Sequence, residues 1–245
     1  ITLKKLKHLP PTVRYYEMRN GTILLYGDDV RKIIPEIKTE DIPFSEGLRF
    51  LSNRMMNMFL SMKEEYLKKK PSDDEIGIIN YYICKAYIAC CDSLLLSIGK
   101  FAPTYGKRAE IFLDIYEDTF PEFYRKFPEL AKKVNYAINY KMNPDIKKMD
   151  YKKEWFKARE IITEVFRYII NNKTNRKDSS WHEINRLLTR NFDKKYFEDY
   201  SSFLLKPMHI NLKIFRFFLS KSISFALSVL YFLRLKEEIV KFYLK

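Results

Sequence analysis

PPTVRYYEMRNGTILLYGDD, residues 10–29, carries two runs rich in β-branched and aromatic side chains, 13–18 and 22–26, on either side of an Asn20-Gly21 step. Asn-Gly between such runs is the strongest short-range signal for a tight hairpin turn, so the residues predict an N-terminal β-hairpin. Almost nothing downstream has strand character. A lone two-stranded ribbon is marginal in water, which makes this one the expected edge of a sheet whose other strands lie outside the sequence. The chain begins at Ile1 without an initiator Met, in keeping with that expectation.

The rest reads as helix. The 245 residues are 47% hydrophobic and 16% aromatic, enough to bury a sizeable core and to exclude a disordered chain. Six Gly and ten Pro leave room for short loops only. Residues 28–44, with Pro35 and Pro43, read as a connector. A helix is expected from Ser45 to a stop at Pro71, with Leu48, Leu51, Met55, Met58, Phe59, Met62 and Tyr66 as its buried stripe. Ser72, Asp73 and Asp74 supply an acidic start for a second helix over 75–98, closed by Gly99. Further helices are predicted over 105–118, 129–142 and 151–171. The polar run NNKTNRKDSS, 171–180, is a candidate linker, Ser180 and Glu183 form a capping-box pattern, and a last long element covers 210–245.

The expected class is therefore mainly α, a helical bundle with a short N-terminal β-hairpin. Its domains are 1–44, holding the hairpin and connector, and a helical 45–245 with possible subdivision near 143–150 and 171–180. A formal charge of +14 implies attraction to polyanions, nucleic acid or nucleotide phosphates among them. Cys84, Cys90 and Cys91 lie within one apolar run and read as small core residues of a reducing, cytoplasmic compartment, not as a disulfide framework. The segments 76–98 and 217–233 are the most apolar. Lys85 and Asp92 interrupt the first and Lys221 the second, so both read as core helices and no membrane span is expected.

Three pieces, LPPTVRYYEMRNGTILLYGDDV, IPFSEGLRFLSNRM and CKAYIACCDSLLLSIGKFAPTYGKRAE, follow one another between Leu9 and Glu110. In that order they resemble the later part of the nucleotidyltransferase-domain proteins of archaea and bacteria, relatives of the polymerase-β-like and aminoglycoside nucleotidyltransferases. The resemblance implies transfer of a nucleoside monophosphate from a nucleoside triphosphate, with Mg²⁺, to an unidentified acceptor. It makes residues 1–44 the edge of an incomplete catalytic domain and the hairpin a remnant of its sheet. That chemistry uses a Gly-Ser turn to hold the triphosphate and an Asp-x-Asp pair to hold metal ions. Neither pattern occurs in the 245 residues. No catalytic or metal-binding residue is therefore assigned, and the sequence as it stands is expected to be inactive by itself.

Candidate binding residues remain. Lys85 and Asp92, seven residues apart, share one face of an apolar helix. Lys85 looks similar in position to a helix-borne Lys that meets the triphosphate in related enzymes; a snorkelling Lys and a locally hydrogen-bonded Asp are the structural alternative. Arg54 is a nucleotide-binding candidate too, or else an ion-pair partner of Glu46 or Glu17. Glu46 in the first turn of its helix, with Tyr105, Lys107 and Arg108 opening another, are weaker candidates for contact with acceptor or phosphate. Asp28 and Asp29 suit a turn or cap. Arg176 and His182 fit the Arg-x4-6-His spacing of HEPN ribonucleases. The competing functions are a helical module that binds RNA or a companion nucleotidyltransferase subunit, and, last, such a ribonuclease.

Overall fold

The computed structural model describes residues 2–144, 149–177, 179–180 and 183–184. Its helices in chain order are α1 (Leu3–Leu6), α2 (Val13–Asn20), α3 (Phe44–Ser61), α4 (Glu65–Lys68), α5 (Asp73–Ser97), α6 (Tyr105–Thr119), α7 (Pro121–Lys126), α8 (Leu130–Met142) and α9 (Tyr151–Lys173). Short 3₁₀ turns at Val30–Ile33 and Thr39–Asp41 punctuate the connector. The chain divides into two compact units, residues 1–169 and 170–245. Among the described residues no strand occurs, and no helix is long and apolar enough to cross a membrane.

α5 is the axis of the first unit. Ser72 accepts a hydrogen bond from the Glu75 N–H, and the Glu75 carboxylate accepts one from the Ser72 N–H, a complete capping box. At the other end Gly99 takes φ +67, a left-handed conformation open to glycine. The Gly99 and Lys100 N–H groups return to the carbonyls of Leu96 and Leu95, closing the helix. Between these signals the side chains of Ile79, Ile83, Cys84, Tyr87, Cys90, Cys91, Leu94 and Leu95 are buried around the helix circumference. A helix that is apolar on so much of its surface has to be enclosed. Packing against α3 and α8, and less extensively against α6, encloses it.

Two polar ties fix the enclosing helices. The Glu154 carboxylate accepts hydrogen bonds from the Tyr87 hydroxyl (2.8 Å) and from Lys133 Nζ (2.6 Å), joining α9, α5 and α8. The Ser93 hydroxyl donates to the Gly47 carbonyl at 2.9 Å, joining α5 and α3. The three thiols stay inside this core, and burial raises each of them, Cys84 to about 12.

The hairpin is overturned. Residues 13–18, its first predicted strand, lie in α2, because Val13 packs with Ile37, Ile42, Leu96 and Phe101 while Tyr15 and Tyr16 cover that cluster. Tyr16 also donates from its hydroxyl to the Phe101 carbonyl at 3.2 Å. Val13, Tyr16 and Glu17 stand at i, i+3 and i+4, so one helical face collects the contacts of Val13 and Tyr16 and the ion pair of Glu17 with Arg108. Long-range packing here outweighs the strand propensity of the residues themselves. The Asn20-Gly21 step ends a helix instead of reversing a ribbon. Gly21 donates its N–H to the Glu17 carbonyl at 2.7 Å, and a Cβ on it would sit 2.8 Å from the Pro103 carbonyl oxygen. Close approach of the 103 loop requires this glycine; a left-handed turn does not.

The helix expected to run from Ser45 to Pro71 begins one residue earlier, with Pro43 at the cap position, and ends at Ser61. Met62 is extended there (φ −102, ψ 102) and α4 follows as a single separate turn. The apolar spacing read straight through the break because Met62 and Tyr66 are buried on both sides of it. The Ser180 and Glu183 capping pattern is present, with the Glu183 N–H donating to the Ser180 hydroxyl and the Ser180 N–H donating to the Glu183 carboxylate. The apolar segment 217–233 lies outside the described residues.

Candidate functional site

The site is built on one face of α5, the body of α3, the start of α6 and the end of α8. Tyr81, Lys85 and Asp92 stand at i, i+4 and i+11, close to one line along the helix. Arg54 comes from α3, Lys141 from the last turn of α8, and Tyr105 and Arg108 from the first turn of α6. Thr104 caps α6, its hydroxyl accepting from the Lys107 N–H and its carbonyl from the Arg108 N–H, and this turns Arg108 inward.

Arg108 is the floor. Its side chain is 2% exposed and is held by two carboxylates, Glu17 of α2 at 2.6 Å and Asp92 of α5 at 3.1 Å. The Asp92 contact is a close charge pair with poor hydrogen-bond alignment, since neither Arg108 Nε nor Asp92 Oδ1 has a well-aimed partner. Phe101 and Tyr105 present ring faces to the guanidinium at 4.5 and 4.4 Å. Burial works against the charge on Arg108, but Asp92 and Glu17 outweigh it and hold the guanidinium above its usual range. For Asp92 burial wins and raises the carboxyl to about 6, with Arg108 opposing that rise and Lys141 and Arg54 pulling more weakly in the same direction as Arg108; Glu17 adds to the rise.

Near Tyr81 and Asp92 lie cations that have no carboxylate partner among the described residues. Lys85 Nζ sits 4.3 Å from the Tyr81 ring centroid and Lys141 Nζ 3.6 Å from that of Tyr105. A hydrogen bond from Lys85, with smaller electrostatic contributions from Lys85, Lys141 and Arg54, brings the Tyr81 hydroxyl below its ordinary range against the effect of burial. Among the described residues no Asp or Glu lies within ion-pairing distance of Lys85, Arg54 or Lys141. Tyr81 and Tyr105 are 38% and 40% exposed, so the cations share this face with two accessible rings.

The structure thus places Lys85, Asp92, Arg54, Tyr105 and Arg108 in one neighbourhood. Glu46 is buried and bound by Arg49 at 2.8 Å, so Arg54 is not its partner. Glu17 pairs with Arg108 and not with Arg54. Lys107 points outward to Glu110. Asp29 caps the Val30–Ile33 turn and binds the Arg31 side chain, whose hydrogen bonds hold its carboxyl down to about 2. Arg176 lies 3.9 Å from Glu183, and His182 is outside the described residues. Lys141 and Tyr81 were missed by the sequence reading. The Tyr81 to Lys85 spacing of one helical turn was a local signal; for Lys141, on α8, there was none.

No family model, curated protein or solved structure matches this chain. Both carboxylates beside Arg108 are committed to its guanidinium. Among the described residues no three His, Cys, Asp or Glu side chains gather into a metal-holding group. The residues of this site do not fit the Mg²⁺ that the resemblance implies. What the arrangement offers is a cationic, aromatic-walled surface for an anion.

The buried carboxyl gives a signed prediction. An unfolded Asp takes up its proton near pH 4, whereas folded Asp92 does so near 6. Between those values the folded chain holds a proton that the unfolded chain lacks, so this group adds stability as pH falls from 7 to 5 and withdraws it as pH rises through 6. The full window is worth about 2–3 kcal/mol. Urea unfolding of wild type and Asp92→Asn at pH 5 and 7.5 samples the upper half of that window: the wild type gains about 1.4 kcal/mol on acidification relative to the variant.

Proposed function

We propose that this chain is the helical, nucleotide-binding part of a nucleotidyltransferase, in which Arg54, Lys85 and Lys141 receive the phosphates of a nucleoside triphosphate. One observation carries the reading: three cations from α3, α5 and α8, none with a carboxylate partner among the described residues, gather around Tyr81, Tyr105 and Asp92. The resemblance of residues 9–110 to nucleotidyltransferase-domain proteins supplies the reaction class. A polyphosphate needs this kind of surface. Arg54 offers a planar fork that matches two phosphate oxygens at once, and the two lysines provide compact charges on flexible stems. Tyr81 and Tyr105 give flat apolar surface next to the charges, suited to a base or ribose. Arg108 offsets one of the two negative charges of Glu17 and Asp92 and so lessens their repulsion of the incoming anion. The role of these residues is to bind and orient; the bond-making groups of the transfer are not assigned to this sequence.

Isothermal titration of ATP, and separately of inorganic tripolyphosphate, tests the reading. Each is expected to bind, and Lys85→Ala or Arg54→Ala to weaken binding about 10–100-fold, the loss of one charge-assisted hydrogen bond, with an unchanged far-UV circular dichroism spectrum. Absence of binding by wild type, or equal binding by the variants, would refute it. The charge of +14 favours a second reading, a module that binds RNA. Binding of poly(U) that falls steeply with salt and is not displaced by ATP selects that reading instead.

A further inference from the structure

Four consecutive apolar residues follow α2 with almost no cover. Ile23 is 84%, Leu24 42%, Leu25 93% and Tyr26 97% exposed. Among the described residues, no backbone N–H or C=O of these four makes a hydrogen bond. Scattered exposed apolar side chains are ordinary, but an uninterrupted run marks a contact surface. The segment joins unpaired main-chain donors and acceptors with the residue types that favour strands. It carries no charge between Gly21 and Gly27 to discourage pairing, and the chain on each side is anchored, by the Gly21 to Glu17 hydrogen bond and by Arg31, whose guanidinium donates to the Thr22 carbonyl at 2.8 Å.

We infer that residues 23–26 dock as an added strand on the open edge of a preformed β-sheet in an acidic partner polypeptide. Strand addition pairs the free main-chain groups on the edge that faces the partner and packs the apolar side chains alongside those of the sheet. Two considerations favour such a partner over a second copy of this chain. Two copies of a four-residue segment would form only an isolated two-stranded ribbon, which is marginal in water, whereas an existing sheet supplies the remaining strands and an apolar layer. Two chains of formal charge +14 also repel, while an acidic partner attracts.

The test uses the full chain and a monomeric, acidic three-stranded β-sheet miniprotein with one open edge strand as the probe, read by hydrogen–deuterium exchange. With the probe at twice its dissociation constant, exchange of the alternate amides that face the probe's edge, those of residues 23 and 25 or those of 24 and 26, is expected to slow about threefold. The double variant Leu24→Pro/Leu25→Pro removes one donor from each edge of the segment and is expected to abolish the slowing, whereas Leu24→Val/Leu25→Val keeps both donors and retains it. Unchanged exchange with the probe overturns the inference. So does slowing that persists in the proline variant. Protection that appears without probe and rises with protein concentration, together with a dimer in sedimentation equilibrium, overturns it in favour of a second copy.

Discussion

Arg108→Met is expected to lower the free energy of unfolding by about 3–5 kcal/mol at pH 7.5, the range for removing one partner of a buried ion pair. Met fills much of the volume and keeps apolar contact with Phe101 and Tyr105, so the loss comes mainly from charge. Asp92, with an 11% exposed side chain, is left without its counter-ion, and Glu17 loses the bond that joins α2 to α6. The same substitution is expected to cost less at pH 5, because Asp92 can then take a proton and escape the burial of its charge. Adding Asp92→Asn to Arg108→Met should return part of the loss, a coupling that only contacting groups show. Urea unfolding at the two pH values measures all three variants. A cost under about 1 kcal/mol for Arg108→Met at pH 7.5 would mean that the cluster does not hold α2, α5 and α6 together.

Legibility in the sequence followed the distance over which each feature is decided. α5 was readable because its start, its end and its apolar body are local: Ser72 with Glu75, then Gly99 just past the last turn. α2 was misread because its residues carry two compatible patterns. Val13, Tyr15 and Tyr16 suit a strand by type, yet Val13, Tyr16 and Glu17 also suit a helix by spacing. The choice between them rests on Ile37, Ile42, Leu96 and Phe101, which no local window contains. The site shows the same division. Lys85 and Asp92 stood out as charges on an apolar helix, and Arg108 as a cation in a first turn. That Arg108 reaches Asp92, or that Lys141 lies against Tyr105, depends on how α5, α6 and α8 pack, and charge alone did not distinguish Arg54 from Arg49 as the partner of Glu46.

Trp155→Ala is the second large effect, and it bears on how Arg54 is held. The indole is 2% exposed, and its Nε1–H donates at 3.0 Å to the carbonyl of Met58, one of the last-turn carbonyls of α3 that a helix leaves without an internal partner. α9 therefore closes the end of α3, one helical turn beyond Arg54. Removing the ring takes away a large buried apolar surface and leaves a cavity, with an expected cost of about 3–5 kcal/mol. Trp155→Phe separates the two parts of that loss. It retains a ring in the core beside Phe156 and gives up the N–H, so its cost is expected to be well below that of Ala. The Ser61 hydroxyl also donates to the Met58 carbonyl at 3.0 Å, which limits the cost of losing the indole donor. Thermal and urea unfolding rank the variants as wild type, Phe, Ala. If Phe proves as damaging as Ala, the hydrogen bond to α3 outweighs the packing of the ring. Tripolyphosphate titration of the Phe variant would then be expected to show weakened binding through Arg54, even where the chain remains folded.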